Sequence, residues 1–162
     1  MYSRVQTSGT SRVAGALPYN FVVLMAAVPL SAQTCAPCKA KGGTPVELTP
    51  EAAAALLGGE LSPDWTLVND GGAISRTFTC RNFKSALAWV VAAGDIAEAQ
   101  GHHPDLHITS YRNVQVVVYT HSIGGLCQND FILAAHLDLI PTDYSPKFLK
   151  DNPMITAGRS TE

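Results

Sequence analysis

Residues 82–122, NFKSALAWVVAAGDIAEAQGHHPDLHITSYRNVQVVVYTHS, decide the fold, because the apolar period changes partway along them. Asn82 is a good helix cap, Phe83, Leu87, Val90, Gly94 and Ala97 recur at helical spacing, and Gly101 supplies a terminator. This predicts one long helix, the main one of the chain. From Asp105 the pattern alternates instead. Val114, Val116 and Val118 share one face, with Val117, Tyr119 and His121 on the other, so the stretch reads as a hairpin.

Upstream, DWTLVNDGGAISRTFTC predicts a second hairpin around Asn-Asp-Gly-Gly, with Ile74, Arg76, Phe78 and Cys80 alternating against Ser75, Thr77 and Thr79. Before it, LTPEAAAALLGG is a short helix: Thr49 caps it, Pro50 takes its first position, and Gly58 and Gly59 stop it. Downstream, NDFILAAHLDLI is a third helix, capped by Asn129 or Asp130 and ended by Pro141. The order helix, hairpin, helix, hairpin, helix predicts an α+β fold. Two hairpins form one four-stranded antiparallel sheet, and the helices pack on one face as a second layer.

The chain has 162 residues, 46% of them hydrophobic, enough for one core. The first 46 residues hold Arg4, Arg12, Lys39 and Lys41 and no acid, so the remainder carries 7 basic against 13 acidic groups, 7 − 13 = −6. That sign disfavours a grip on nucleic acid. Residues 1–33, rich in Ser, Thr and Ala, have the composition of an organellar targeting segment. The apolar run Phe21 to Leu30, followed by Ser31 and Ala32, also suits a secretory signal peptide, and it is too short for a stable membrane span. Both readings leave this segment outside the fold. Residues 34–46 form a linker containing Cys35 and Cys38, a CxxC with no second pair to complete four sulfur ligands. It serves a structural role, half a zinc site or a redox pair. Residues 47–140 form the domain, and 141–162, broken by prolines, read as a surface or disordered tail.

All five histidines, His102, His103, His107, His121 and His136, lie between 102 and 136. Imidazole titrates near neutrality, so such a set suits general acid and base work, including loss of water. Glu98, one helical turn before His102, can orient a ring, and Pro104 holds His103 extended. Bland alternatives exist: histidines decorating a helix C-terminus, and structural roles for His107 and His136. Zinc held by His102 or His103 with His107 and His121 lacks a supporting motif such as HExxH. Trp65 and Trp89 read as core.

EAQGHHPDLHITSYRNVQVVVYTHSIGGLCQND resembles the pterin-4a-carbinolamine dehydratase family. The family pattern runs from an acidic residue through His-His-Pro, an aromatic and a further His to an Asp. Here these are Glu98, His102, His103, Pro104, Tyr111, His121 and Asp130. The resemblance spans about Leu48 to Leu139 and implies dehydration of 4a-hydroxytetrahydropterin to quinonoid dihydropterin, in recycling of a hydroxylase cofactor. It implies catalytic residues His102, His103, His121 and Glu98. His102 and His121 transfer protons, His103 chiefly holds the pterin, and Pro104, Thr120 and Ser122 flank it. It implies no metal or cofactor, a dimer or tetramer, and the fold read above. The CxxC linker and IGGLCQNDFILAAHL resemble organellar members from photosynthetic lineages, whose relatives include Rubisco assembly factors. A non-enzymatic assembly role is therefore the alternative. Some animal members also act as dimerisation cofactors of a homeodomain protein, a role disfavoured here by the acidic body.

Overall fold

The computed structural model of the chain describes residues 28–37 and 45–157. Helix α1 (Pro50–Leu57) begins where the Thr49 side chain accepts a hydrogen bond from the Ala52 amide, and it ends at Gly58. Strands β1 (Trp65–Val68) and β2 (Ala73–Thr79) are joined through a short 3-10 turn at Asn69–Gly71. Helix α2 (Phe83–Gln100) starts at Asn82, whose side-chain Oδ1 accepts from the Ser85 amide at 2.9 Å. Strands β3 (Asp105–Thr109) and β4 (Asn113–Val118) form the second hairpin. Helices α3 (Gln128–Asp138), α4 (Pro146–Asp151) and α5 (Pro153–Ala157) follow.

The sheet order is β1-β2-β4-β3, antiparallel throughout, so the hairpins meet at β2 and β4. Their register pairs Ile74 with Val118, Arg76 with Val116 and Phe78 with Val114. Because side chains alternate along a strand, all six point to one face, where they are buried beneath the helices. The other face carries Thr66, Thr77, His107 and Gln115, all exposed. The α+β two-layer reading holds for this chain.

Helix α2 lies on the sheet with a different stripe inward from the one its apolar spacing suggests. Ala86, Trp89, Ala93 and Ala97 are buried, whereas Phe83 and Leu87 are 49% and 42% exposed. Small alanines let the helix approach the sheet closely, and Trp89 packs edge-on against Phe78 with centroids 4.9 Å apart. Phe83, Leu87 and Val91 are left as an outward stripe at i, i+4 and i+8.

Two ends assigned outside the domain pack onto it. Tyr144, Ser145 and Ile155 are buried, so the residues after Pro141 fold against the core as far as Ala157. The Ser145 amide donates to the Thr79 carbonyl and the Arg81 amide to that of Asp143, fastening this segment to the end of β2. Residues 28–37, split by composition between leader and linker, lie on α3 with Leu30 buried. Cys38 and residues 1–27 lie outside the described residues.

Arg76 is the largest polar side chain in the core, 1% exposed. Its Nε meets Asp64, its Nη1 meets Asp138, both at 2.7 Å, and its Nη2 donates to the Tyr144 hydroxyl at 2.6 Å. Burial works against its charge, but Asp64, Tyr144 and Asp138 outweigh it and hold the guanidinium above its ordinary range. At Asp138 burial wins over the pull of Arg76, so its carboxyl is held above the usual value. Asp138 also accepts from Trp65 Nε1 and the Ser62 amide.

Burial, reinforced by Asp143, pushes the Cys80 thiol up to about 11. The thiolate is the reactive form, so a disulfide reagent at pH 8 is expected to label Cys80 on the order of 100-fold more slowly in the native chain than in urea. Equal rates in the two conditions would contradict this placement. No helix among the described residues is long and apolar enough to cross a membrane.

Candidate active site

The helix-to-strand turn at Gly101 builds the first part of the site. Gly101 has φ 61, a left-handed conformation that glycine adopts without penalty. The Gly101 amide then donates to the Glu98 carbonyl and the His102 amide to that of Ala97, the two bonds of a Schellman C-cap. The cap folds the chain back over the last helical turn. His102 is thereby carried inward, 5% exposed, while the next residue, His103, points to solvent.

Asp130 receives the buried ring. His102 Nε2 lies 2.6 Å from its Oδ1, and the carboxylate is fully buried. Its Oδ2 accepts from the Thr120 hydroxyl at 2.9 Å and from the Cys127 amide at 2.7 Å. The acidic residue in the first turn of α3 thus satisfies the helix start and anchors two other segments at once. Burial also raises the Cys127 thiol above its ordinary range, and its sulfur sits 3.1 Å from the Thr120 hydroxyl.

Thr120 begins the turn that carries His121. Its carbonyl accepts from the Ile123 and Gly124 amides, and its amide donates to the Gly125 carbonyl. His121 leaves this turn exposed, its ring against Tyr119 at a centroid distance of 4.2 Å and a tilt of 41°. The β3–β4 ladder pairs Asp105 with Val117. The start of β3 and the end of β4 therefore lie at the same end of the sheet, where the His-His turn enters and the segment from Tyr119 to His121 leaves. Asp130 fastens the two segments together from inside.

Of the residues expected to serve the site, Glu98 meets His103 at 3.2 Å, with both side chains solvated. The ring it orients is therefore His103, and His102 takes its carboxylate from Asp130 instead. Pro104 is half-buried between the turn and β3, and Ser122 is exposed next to His121. Thr120, expected at the pterin, is 1% exposed with its hydroxyl committed to Asp130 and Cys127. Its part is to hold the turn from within. His107 stands on the exposed sheet face, and His136 Nε2 lies 2.8 Å from the Gln33 carbonyl oxygen, both apart from the site. Tyr111 tips the β3–β4 hairpin at the opposite end of β3 from the histidines, 60% exposed at φ 60.

Spacing sets Tyr119 on the same face as His121, but it does not single out Asp130 as the partner of His102. An acid in the first turn of a helix is a common cap, and that local role conceals its tertiary one. Chemically, the arrangement offers one imidazole oriented by a buried carboxylate and two exposed imidazoles beside it, a set able to give and take protons. Among the described residues no group of three or more His, Cys, Asp and Glu side chains is placed to hold a metal ion.

The family model described as pterin 4 alpha carbinolamine dehydratase matches residues 46–140. A mitochondrial pterin-4-alpha-carbinolamine dehydratase 2 of Arabidopsis thaliana is 40% identical over 111 residues, 67% of this chain and 57% of that protein. A protein of Cupriavidus pinatubonensis, provisionally named pterin-4-alpha-carbinolamine dehydratase 1, is 43% identical over 106 residues, 65% of this chain and 86% of its own length. Among solved structures, a transcriptional coactivator/pterin dehydratase from Brucella melitensis superposes with a TM-score of 0.52 at 29% identity, over 57% of this chain and 95% of that one.

Proposed function

The chain belongs to the pterin 4 alpha carbinolamine dehydratase family, and from that premise we propose that it converts a 4a-hydroxytetrahydropterin to the quinonoid dihydropterin and water. The observation that carries the reading is the carboxylate-held His102 set beside the exposed His103 and His121. In the reaction the bond from C4a to its hydroxyl oxygen breaks and N5 loses its proton. One imidazolium protonates the departing hydroxyl, which leaves as water, and a neutral imidazole takes the N5 proton. His102 and His121 are assigned these transfers. Asp130 fixes the orientation of the first ring and faces it with a counter-charge when it takes up a proton. His103, steadied by Glu98, holds the pterin edge, with Pro104 and Ser122 flanking it. No cofactor or metal enters the scheme.

The test is direct. The purified chain is expected to speed loss of the carbinolamine absorbance well above the buffer rate. A rate equal to buffer overturns the enzyme reading and leaves the assembly role as its rival.

The leader-like composition of the first residues and the mitochondrial relative support an organellar location. The outward stripe Phe83, Leu87 and Val91 supports self-association through α2, since apolar side chains at one helical face gain most by burial against a partner. Leu87→Glu is expected to shift the sedimenting species to the mass of one chain. A wild-type chain that already sediments as a monomer at micromolar concentration would remove this part of the proposal.

A further inference from the structure

Residues 28–37 lie upstream of the family-model match and bind two elements that carry the site. The Cys35 amide donates to Gln100 Oε1 at 2.9 Å. Gln100 is the last residue of α2, two before His102. The Ala36 amide donates to Asn129 Oδ1 at 2.9 Å, and Asn129 Nδ2 donates to the Ala36 carbonyl at 2.7 Å. One side-chain amide thus serves both polar groups of Ala36, as a neighbouring strand would. Asn129 is 6% exposed and directly precedes Asp130. Gln128 Nε2 reaches Gln33 Oε1 at 2.9 Å, and His136 meets both the Gln33 carbonyl and Gln100 Nε2. Buried Leu30, whose amide donates to Glu60 Oε2, anchors the beginning of the segment.

These contacts span the junction on which the His102–Asp130 pair depends. The ring comes from the turn that ends α2 and the carboxylate from the first turn of α3, and residues 35 and 36 hydrogen-bond to the side chain next to each. We propose that residues 28–37 act as a positioning strap, which ties Gln100 to Asn129 and thereby fixes the separation and alignment of His102 and Asp130. The proposal rests on the dehydratase reading for its effect on turnover, though not for its effect on the pair. Misplacement of a reacting group by about 1 Å can cost up to about 100-fold in rate, so a loosened strap acts on turnover more than on substrate capture.

The experiment uses the full chain with Leu30→Asp, which evicts the anchor, and with Gln100→Ala, which removes the contacts of Gln100 with the Cys35 amide and His136 and leaves the core intact. Hydrogen exchange at the Cys35 and Ala36 amides reports release of the strap. Ring ¹⁵N and ¹H signals of His102 report the pair, and steady-state kinetics report the site. With the strap released, the His102 signals are expected to shift or broaden, and kcat to fall on the order of tenfold with KM within about twofold. Leu30→Met is expected to restore both. Exchange showing release while the His102 signals and kcat keep wild-type values overturns the proposal. If the wild-type chain has no activity, the dehydratase reading fails, and the His102 signals alone still decide whether the strap positions the pair.

Discussion

His121→Ala and His102→Ala are each expected to lower turnover of the carbinolamine by roughly 10²- to 10⁴-fold, the usual worth of a general acid or base, while His107→Ala leaves it unchanged. The control is drawn from the same cluster of histidines and sits on the exposed face of β3, across the sheet from the helices. Initial rates of absorbance decay with purified variants give the comparison. The two substitutions should also differ in stability. His121 is exposed, so its loss leaves the fold alone, whereas His102 leaves Asp130 buried with one donor fewer. A His121→Ala chain with wild-type kcat and KM would remove that residue from the mechanism. An equal loss on His107→Ala would show that the cluster acts through overall charge and not by placement.

Arg76→Met is expected to destabilise the chain by about 3–5 kcal/mol, the range for breaking a buried ion pair from one side. Methionine fills much of the volume, so the penalty comes from what is stranded. Asp64 and Asp138 lose their counter-charge, the Tyr144 hydroxyl loses its donor, and Asp64 Oδ1 is already buried without a hydrogen-bond partner. Urea unfolding gives the measurement, with a lowered midpoint and an unchanged slope. A loss below about 1 kcal/mol would mean that the acids reach water once the guanidinium is gone.

Much of the architecture was legible because each element carries its own punctuation. Asn82, Gly101, Thr49 and Pro50 mark helix ends by local chemistry, and the strands alternate cleanly at Ile74, Arg76 and Phe78. The rotation of α2 was not legible. The helix is apolar on several sides, so both the Phe83–Leu87 stripe and the Ala86–Trp89–Ala93 stripe satisfy a helical period, and only packing against Phe78 selects between them. The site divides in the same way. Glu98, His102, His103, His121 and Asp130 are visible as a motif, but nothing in it pairs Asp130 with a ring 28 residues away. The ties from residues 33–36 to Asn129 and His136 cross 93 to 103 residues. Contacts of that span leave no periodic trace, and the composition of this segment reads as the end of a leader and the start of a linker. The same blindness hid Arg76, which alternation turned inward without revealing Asp138, 62 residues away.

The 3-10 turn at Leu30–Ala32 bears on the timing of any maturation. A processing protease takes its target as an extended stretch, and in the folded protein the bond between Ser31 and Ala32 is wound into a turn on α3 beside buried Leu30. For a chain that loses a leader, a cut at that bond is open only before folding, and it would discard a piece of the core. A cut upstream of Val28 keeps every contact among the described residues intact whenever it is made, so the packing of a few residues sets the order in which transport, trimming and folding can occur.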